Sequence, residues 1–238
     1  MSRFTDVFGN DKVFLPVIHV KTRRQVLENV HIAKTEGADG VFLIQHGHPS
    51  FMVLSAVYEE VRTRYPRFWV GINFLDRDAA AAVETVPTTA SGLWVDNAGF
   101  DGTTAGTPDA PDLIAEQLRR RRHLGTWSGL YFGGVAFKYQ EQVADPGRAA
   151  QQAVLHGVDV VTTSGDATGS PPTIEKVRAI RDAVGADQPV ANASGMTPEN
   201  VGPFVPLLDC FLVASSIAPD FYNFDPDVVH AFKRAISK

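Results

Sequence analysis

Eight times along this chain an apolar run of strand length is followed by a segment whose apolar residues recur at helical spacing. Repeated strand–helix units read this way, because parallel neighbours need a long crossover between them. The strands are predicted at Val13–His19, Val41–Gln45, Trp69–Asn73, Leu93–Asp96, Leu130–Lys138, Val158–Thr163, a run opening at Pro189, and Cys210–Ala214. Between them Val26, Val30 and Ala33 share one helical face; so do Leu54, Val57 and Val61, and later Ile174, Val177, Ile180 and Val184. An Ala-rich helix opens at Asp78 and another reaches His123. Asp145-Pro146, Thr197-Pro198 and Asp225-Pro226 each place a capping side chain before a first-turn proline, which predicts three more helix starts.

The joints into strands also repeat. Gly37-Ala38-Asp39-Gly40 precedes the second strand and Gly157-Val158-Asp159-Val160 the sixth, while Leu208-Asp209-Cys210 has the acid without the glycine. A helix stopped by glycine, one acidic turn residue and then an apolar strand is sound loop chemistry. No linker or low-complexity stretch divides the chain, so residues 1–238 read as one domain. Eight such units in 238 residues fit a single-domain (β/α)8 TIM barrel, which typically takes about 250 residues. A doubly wound open sheet is the weaker alternative, because no G-x-G-x-x-G follows the first strand.

Charge and composition then exclude several roles. A net charge of −5 argues against a nucleic-acid surface. The basic run Arg119–Arg122 sits at a helix end, where it complements the helix dipole and faces water. The single cysteine, Cys210, cannot form an intrachain disulfide and lies in an apolar strand. Neither a signal-peptide core nor a membrane-length apolar run occurs, so a cytoplasmic protein without membrane insertion is expected. No cofactor fingerprint is present and no cofactor is expected. Phe221, Tyr222 and Phe224 read as packing over the last helix, with a homo-oligomer contact allowed.

Barrels of this kind carry their chemistry at the C-terminal ends of the strands. Those ends are His19, Gln45-His46, Asn73, Asp96-Asn97, Lys138, Ser164-Gly165-Asp166, Ser194-Gly195 and Ser215-Ser216. Polar caps on strands are ordinary, yet a lysine at such an end is less so. Gly134 and Ala136 alternate with Val135 and Phe137, which predicts the bulky pair outside and Lys138 across the mouth, with Asp96 as its partner. A desolvated lysine serves as acid/base group, counter-ion or Schiff-base nucleophile, the last being least supported by the spacing. Lys138, Asp96, Asn73 and His19 are therefore the catalytic candidates. Asn192, sharing a face with Ser194, is expected inward beside Asn73.

The seventh and eighth loops, Ser194-Gly195-Met196-Thr197 and Ala214-Ser215-Ser216, are small and rich in backbone amides. Phosphate in such barrels often lies at those two loops, so Ser194, Gly195, Ser215 and Ser216 are the candidate anion site. The loop from Ser164 to Pro172 lacks the lysine of a nucleotide-binding P-loop and reads as a substrate cover, with Gly165, Asp166 and Thr168 facing the ligand. The long segment from Asn97 to Ala110 is a second cover. His46-Gly47-His48 has a spacing some metal hydrolases use, with His19 nearby. No histidine ends strands five to eight, however, and the metal reading is a minor alternative.

Residues 159–172, the run Ala193-Ser194-Gly195-Met196-Thr197-Pro198-Glu199-Asn200-Val201 and the run Phe211-Leu212-Val213-Ala214-Ser215-Ser216 together resemble the BtpA/SgcQ family. The likeness is densest from Gly157 to Ser216, and Val17-Ile18-His19 and Lys138 also look like family positions. The resemblance implies a TIM barrel. One member of that family is linked to photosystem I accumulation, and others are predicted enzymes, so a non-enzymatic assembly factor is one implied role. Two departures stand out: His19 runs through Val20-Lys21 straight into a helix where the family has a proline-rich loop, and Ala214 replaces an expected glycine. The Gly195–Asn200 turn is also similar to that of phosphoribosylanthranilate isomerases. The expectation is an enzyme, of lyase, isomerase or transferase type, for a small phosphorylated ligand such as a phosphosugar or nucleotide-like molecule.

Overall fold

The computed structural model describes residues 2–9, 12–101 and 109–237. Eight parallel strands close a barrel in chain order, with β1 (Val13–His19) pairing both β2 (Gly40–Ile44) and β8 (Cys210–Val213). The others are β3 (Trp69–Asn73), β4 (Gly92–Val95), β5 (Leu130–Gly134), β6 (Val160–Thr163) and β7 (Val190–Asn192). A short α1 (Arg3–Phe8) precedes the barrel. Outside it run α2 (Arg23–Thr35), α3 (Phe51–Arg64), α4 (Ala79–Thr85), α5 (Asp109–His123), α6 (Pro146–Leu155), α7 (Ile174–Val184) and α8 (Pro226–Ile236). This is the (β/α)8 TIM barrel that the alternation predicted. Among the described residues no helix is long and apolar enough to cross a membrane.

Two cores follow from strand alternation. Outward residues such as Phe14 and Phe211 pack on Phe232 of α8, each such ring stabilising by about 2–3 kcal/mol when fully buried. Inward residues fill the barrel with rings: Phe42 lies 5.1 Å from Trp69, 5.7 Å from Trp94 and 5.1 Å from Phe132. Gly71 and Gly92 leave that room, since a Cβ on the first would strike Phe42 and on the second Trp69. From below, α1 plugs the N-terminal end: Phe4 is buried and Phe8 packs 5.5 Å from Trp69.

The three acidic joints do one job. Asp39, Asp159 and Asp209 each stand one residue before an even-numbered strand and accept the amide of the preceding odd strand, from Phe14, Tyr131 and Val190 at 2.8–2.9 Å. Each also holds a helix cation: Lys233, Arg122 and Arg181 respectively. Before β4, Ser91 takes the same place and accepts from Arg62. Asp159 additionally binds Arg3, which ties the plug to the barrel.

Three expectations are corrected. Thr197 does accept the amides of Glu199 and Asn200, but no α-helix follows. Gly202-Pro203 falls where the second turn would form, and a proline there lacks an N–H and collides with the previous turn; only a 3-10 turn, Gly202–Phe204, appears. The basic run is a solvated face only in part: Arg119 and Arg120 are exposed, but Arg121 is buried and donates to the carbonyls of Val83, Glu84, Val86 and Thr126, so it clamps α5 onto the end of α4. Strand five stops four residues early, at Gly134, because Ala136 takes a φ of 47°. That bend turns Phe137 into the barrel, 5.9 Å from Trp94, where alternation had placed it outside.

Candidate functional site

At the C-terminal mouth the four catalytic candidates meet. Asn73, last residue of β3, donates from Nδ2 to Oδ1 of Asp96 at 2.8 Å, just beyond β4. Lys138 arrives by a loop and not by a strand. Its amide donates to Ser164 Oγ at 2.7 Å, and the loop is pinned by Gln140, whose Nε2 donates to the Asp96 carbonyl and whose Oε1 receives the Phe137 amide. Gly134 permits the crossing, since any Cβ there would land on the Asp96 carbonyl. Lys138 and Asp96 form no ion pair within 4.0 Å, yet each feels the other's charge.

The electrostatics push these groups away from their ordinary values. Burial raises the Asp96 carboxyl, against opposing pulls from Asn73, Lys138 and His46. Burial lowers the Lys138 ammonium, with Asp96 working in the other direction. His19 is brought down to about 4 by burial and then by His46, although its bond to Phe221 counters. It is therefore neutral near pH 7. Its Nδ1 lies 3.0 Å from the Phe221 carbonyl, which can only accept, so Nδ1 carries the proton and Nε2 offers a lone pair.

His46 and Phe221 complete the cluster; the sequence placed His46 at the end of strand two near His19, and gave no such place to Phe221. The His46 ring meets His19 edge-on at 4.8 Å, and the Phe221 ring stacks on His19 at 3.9 Å. Crowding lowers His46, helped by Lys138 and opposed by Asp96. Phe221 holds a φ of 71°, an uncommon conformation for an aromatic residue. It covers His19 while His46 stays exposed, where packing over the last helix was expected. Gln25 and Asn29 of α2 fix the cover by donating to the Tyr222 carbonyl. Among the described residues no group of three or more His, Cys, Asp or Glu side chains is placed to hold a metal; His48 is exposed in a turn.

On the opposite rim, the loops after β6, β7 and β8 are bonded together. Ser194 donates its hydroxyl to the carbonyls of Ala167 and Ser170, and Ser216 donates to Met196 at 2.6 Å. Gly195 has a φ of 66°, and a Cβ on it would meet the backbone of Ser170 and Pro171. Gly165 is buried under the same stretch, while Asp166 and Thr168 are exposed. Thr168 bonds Tyr139 at 3.1 Å, which joins this loop to the one carrying Lys138. The amides of Gly195, Ser215 and Ser216 donate to no group among the described residues. Asn192 lies on the outward face with Val190 and not inward; its Nδ2 donates to the Ser194 carbonyl. Of the second expected cover, residues 102–108 lie outside the described residues.

No family model matches the sequence, and no curated protein matches it significantly. Solved structures do resemble the fold. One is (S)-3-O-geranylgeranylglyceryl phosphate synthase from Thermoplasma acidophilum in complex with sn-glycerol-1-phosphate, with a TM-score of 0.64 at 14% identity over 100% of this chain and 99% of that one. Another is phosphoribosyl anthranilate isomerase from Thermus thermophilus, at 0.62 and 9% identity over 94% and 98%. A third is the tryptophan synthase alpha chain of Legionella pneumophila, at 0.67 and 12% identity over 99% and 97%. At these identities the likeness establishes the barrel.

Proposed function

We propose that this chain is an enzyme acting on a small phosphorylated metabolite, a phosphosugar or nucleotide-like molecule, by a lyase, isomerase or transferase reaction with a proton-transfer step. The observation that carries the reading is the Asp96–Lys138 relationship. A carboxyl raised by burial and an ammonium lowered by it approach each other in proton affinity, which reduces the cost of moving a substrate proton to either. Asp96 would act as base, Asn73 would hold its rotamer, and Lys138 would stabilise developing negative charge or return the proton. Neutral His19, fixed in one tautomer, would accept a substrate hydroxyl through Nε2.

The phosphate would sit on the backbone of Ser194-Gly195 and of Ser215-Ser216, where three amides have no partner among the described residues. The Ser194 hydroxyl is committed to the neighbouring loop, so this site rests on amides. Support comes from the neighbours, whose names include a glyceryl phosphate synthase and a phosphoribosyl isomerase. The resemblance of residues 157–216 to the BtpA/SgcQ family fits the same barrel, and a cytoplasmic setting is proposed with it.

The test is binding of inorganic phosphate and a panel of phosphorylated metabolites by calorimetry, with a phosphate-soaked crystal to locate the anion. Density between Gly195 and Ser216, and loss of binding in Ser215→Glu, which places a carboxylate at an exposed position, are expected. An anion found elsewhere, or full affinity in that variant, would reject the site. Once a substrate is found, undiminished turnover by Lys138→Met would remove the lysine from the mechanism.

A further inference from the structure

Arg77, in the loop between β3 and α4, is flanked by two aspartates and pairs with neither. Asp76 accepts the Phe51 amide at 2.9 Å, and Asp78 caps α4 by accepting the Ala81 amide at 2.8 Å. The Arg77 guanidinium instead lies 3.7 Å from the centroid of the Phe51 ring, which fixes its plane and leaves its edges available. Its Nε is buried without a hydrogen-bond partner, and the side chain forms no ion pair among the described residues. The part-exposed Arg77 thus has one buried N–H without a partner, while the rest of its guanidinium remains open to a ligand.

What lies beside it is a cleft of about 560 Å³ between the loops after β3 and β4, a volume usual for small-molecule sites. Asn73 and Asp96 form its inner end, Arg77 its outer polar edge, and Leu75, Leu113 and Ile114 its apolar wall. Leu113 is 48% exposed, apolar area that an organic ligand would cover. The cleft therefore runs from Asn73 and Asp96 to an arginine that has no ion-pair partner among the described residues, on the side of the mouth away from the proposed phosphate loops.

We propose that this cleft takes a carboxylate-bearing, partly apolar end of the substrate, with Arg77 as its clamp. The choice of a carboxylate over a second phosphate follows from charge: Asp78 and Asp96 also line the cleft and oppose a dianion, whereas a planar monoanion matches the arginine fork. This substrate assignment rests on the phosphometabolite reading, and the test separates the two.

The full chain is titrated with benzoate, with its neutral isostere benzamide and, separately, with inorganic phosphate, each followed by amide NMR. Benzoate is expected to shift the amides of Asn73, Asp96 and Gly99 and to bind roughly tenfold or more tightly than benzamide. Arg77→Met should reduce benzoate to the level of benzamide and leave phosphate binding unchanged, while Ser215→Glu should do the reverse. Benzoate binding no better than benzamide, shifts located elsewhere, or undiminished benzoate binding in Arg77→Met each overturn the proposal. Should Arg77→Met fail to fold, the benzoate-to-benzamide ratio and the shift map in the unaltered chain decide alone. Absent phosphate binding with benzoate in the cleft would reject the phosphate site and keep the carboxylate site.

Discussion

Asn73 and Asp96 are joined across a gap that the sheet itself does not close. The β3–β4 ladder pairs only Gly71 with Gly92 and Ile72 with Leu93. Beyond those pairs the ladder ends, and the 2.8 Å bond from Asn73 Nδ2 to Asp96 Oδ1 carries the link between the two strand ends. Both residues line the cleft beside them, and the bond sets where the carboxylate stands within it.

That carboxylate costs stability. A buried Asp whose folded value is raised binds more protons folded than unfolded, so stability falls as pH rises from the ordinary carboxylate range through the raised value. Asp96→Asn keeps an acceptor for Asn73 and removes the loss. Its melting temperature at neutral pH should exceed that of the unaltered chain. The gain should vanish below the ordinary carboxylate range. Turnover should fall about 10²–10⁴-fold. Calorimetric scans across pH check the first part, and an unchanged melting temperature at every pH contradicts it.

His19 predicts an acid-side slope of the opposite kind. Its value falls from 6.5 unfolded to about 4 folded, so the unfolded chain binds the extra proton between those limits. The stability held above 6.5 is lost as pH drops through that window, to a total of about 3 kcal/mol. His19→Gln, which can still donate to the Phe221 carbonyl, should flatten the loss. Denaturant midpoints at pH 4, 5.5 and 7 measure it; parallel curves for the two proteins would show that His19 is not its source.

The barrel was legible because its period is carried by many residues: every strand body is apolar and every predicted end is polar, so single errors do not change the count. The four candidates that cluster at the mouth were legible for a similar reason, as polar groups following strands one, three, four and five, although Lys138 stands four residues beyond the end of β5. What escaped was decided by single backbone angles and side-chain bonds. Nothing in Val135-Ala136-Phe137 announces the φ of 47° that ends β5 and sends Phe137 inward. Arg121 reads like any helix-end arginine until four carbonyls surround it. The missing helix after β7 did carry a signal, Gly202-Pro203, two residues that a helix beginning at Pro198 could not absorb. His46 was a strand end already singled out, whereas Arg77 lies in a short loop that carried no signal, and only the structure shows what each faces.

Ser194 ties the loop after β7 to the loop after β6. Its hydroxyl is the tie between the seventh loop and the exposed stretch Asp166–Ser170. Ser194→Ala should destabilise the protein by only about 1 kcal/mol yet speed proteolytic cleavage in that stretch severalfold. Cleavage rates equal to those of the unaltered chain would mean the loop is held by Gly165 and Gly195 packing instead.

Asp159 is the strongest single tie at the opposite end, and it predicts a mutation far from the mouth with a large effect. Its carboxylate side chain is only 8% exposed, yet it accepts from Arg3, from Arg122 at 2.6 Å and from the Tyr131 amide at 2.8 Å. Asp159→Ala strands all three donors and leaves Arg122, whose Nε already lacks a partner, in a half-buried setting. Losing one member of such a pair typically costs about 3–5 kcal/mol. The equivalent change at Asp209 should cost less, because that carboxylate is 28% exposed and water can replace part of its pairing. Arg3 gives the control: Arg3→Ala removes one donor at a position 36% exposed and should cost ~1 kcal/mol or less. Because Arg3 anchors the plug, amides of Phe4 and Phe8 should exchange faster in both Arg3→Ala and Asp159→Ala, while those of β5 and β6 should respond only to the second. Equal destabilisation by the Asp159 and Asp209 changes would show that burial of the carboxylate does not set the size of these ties.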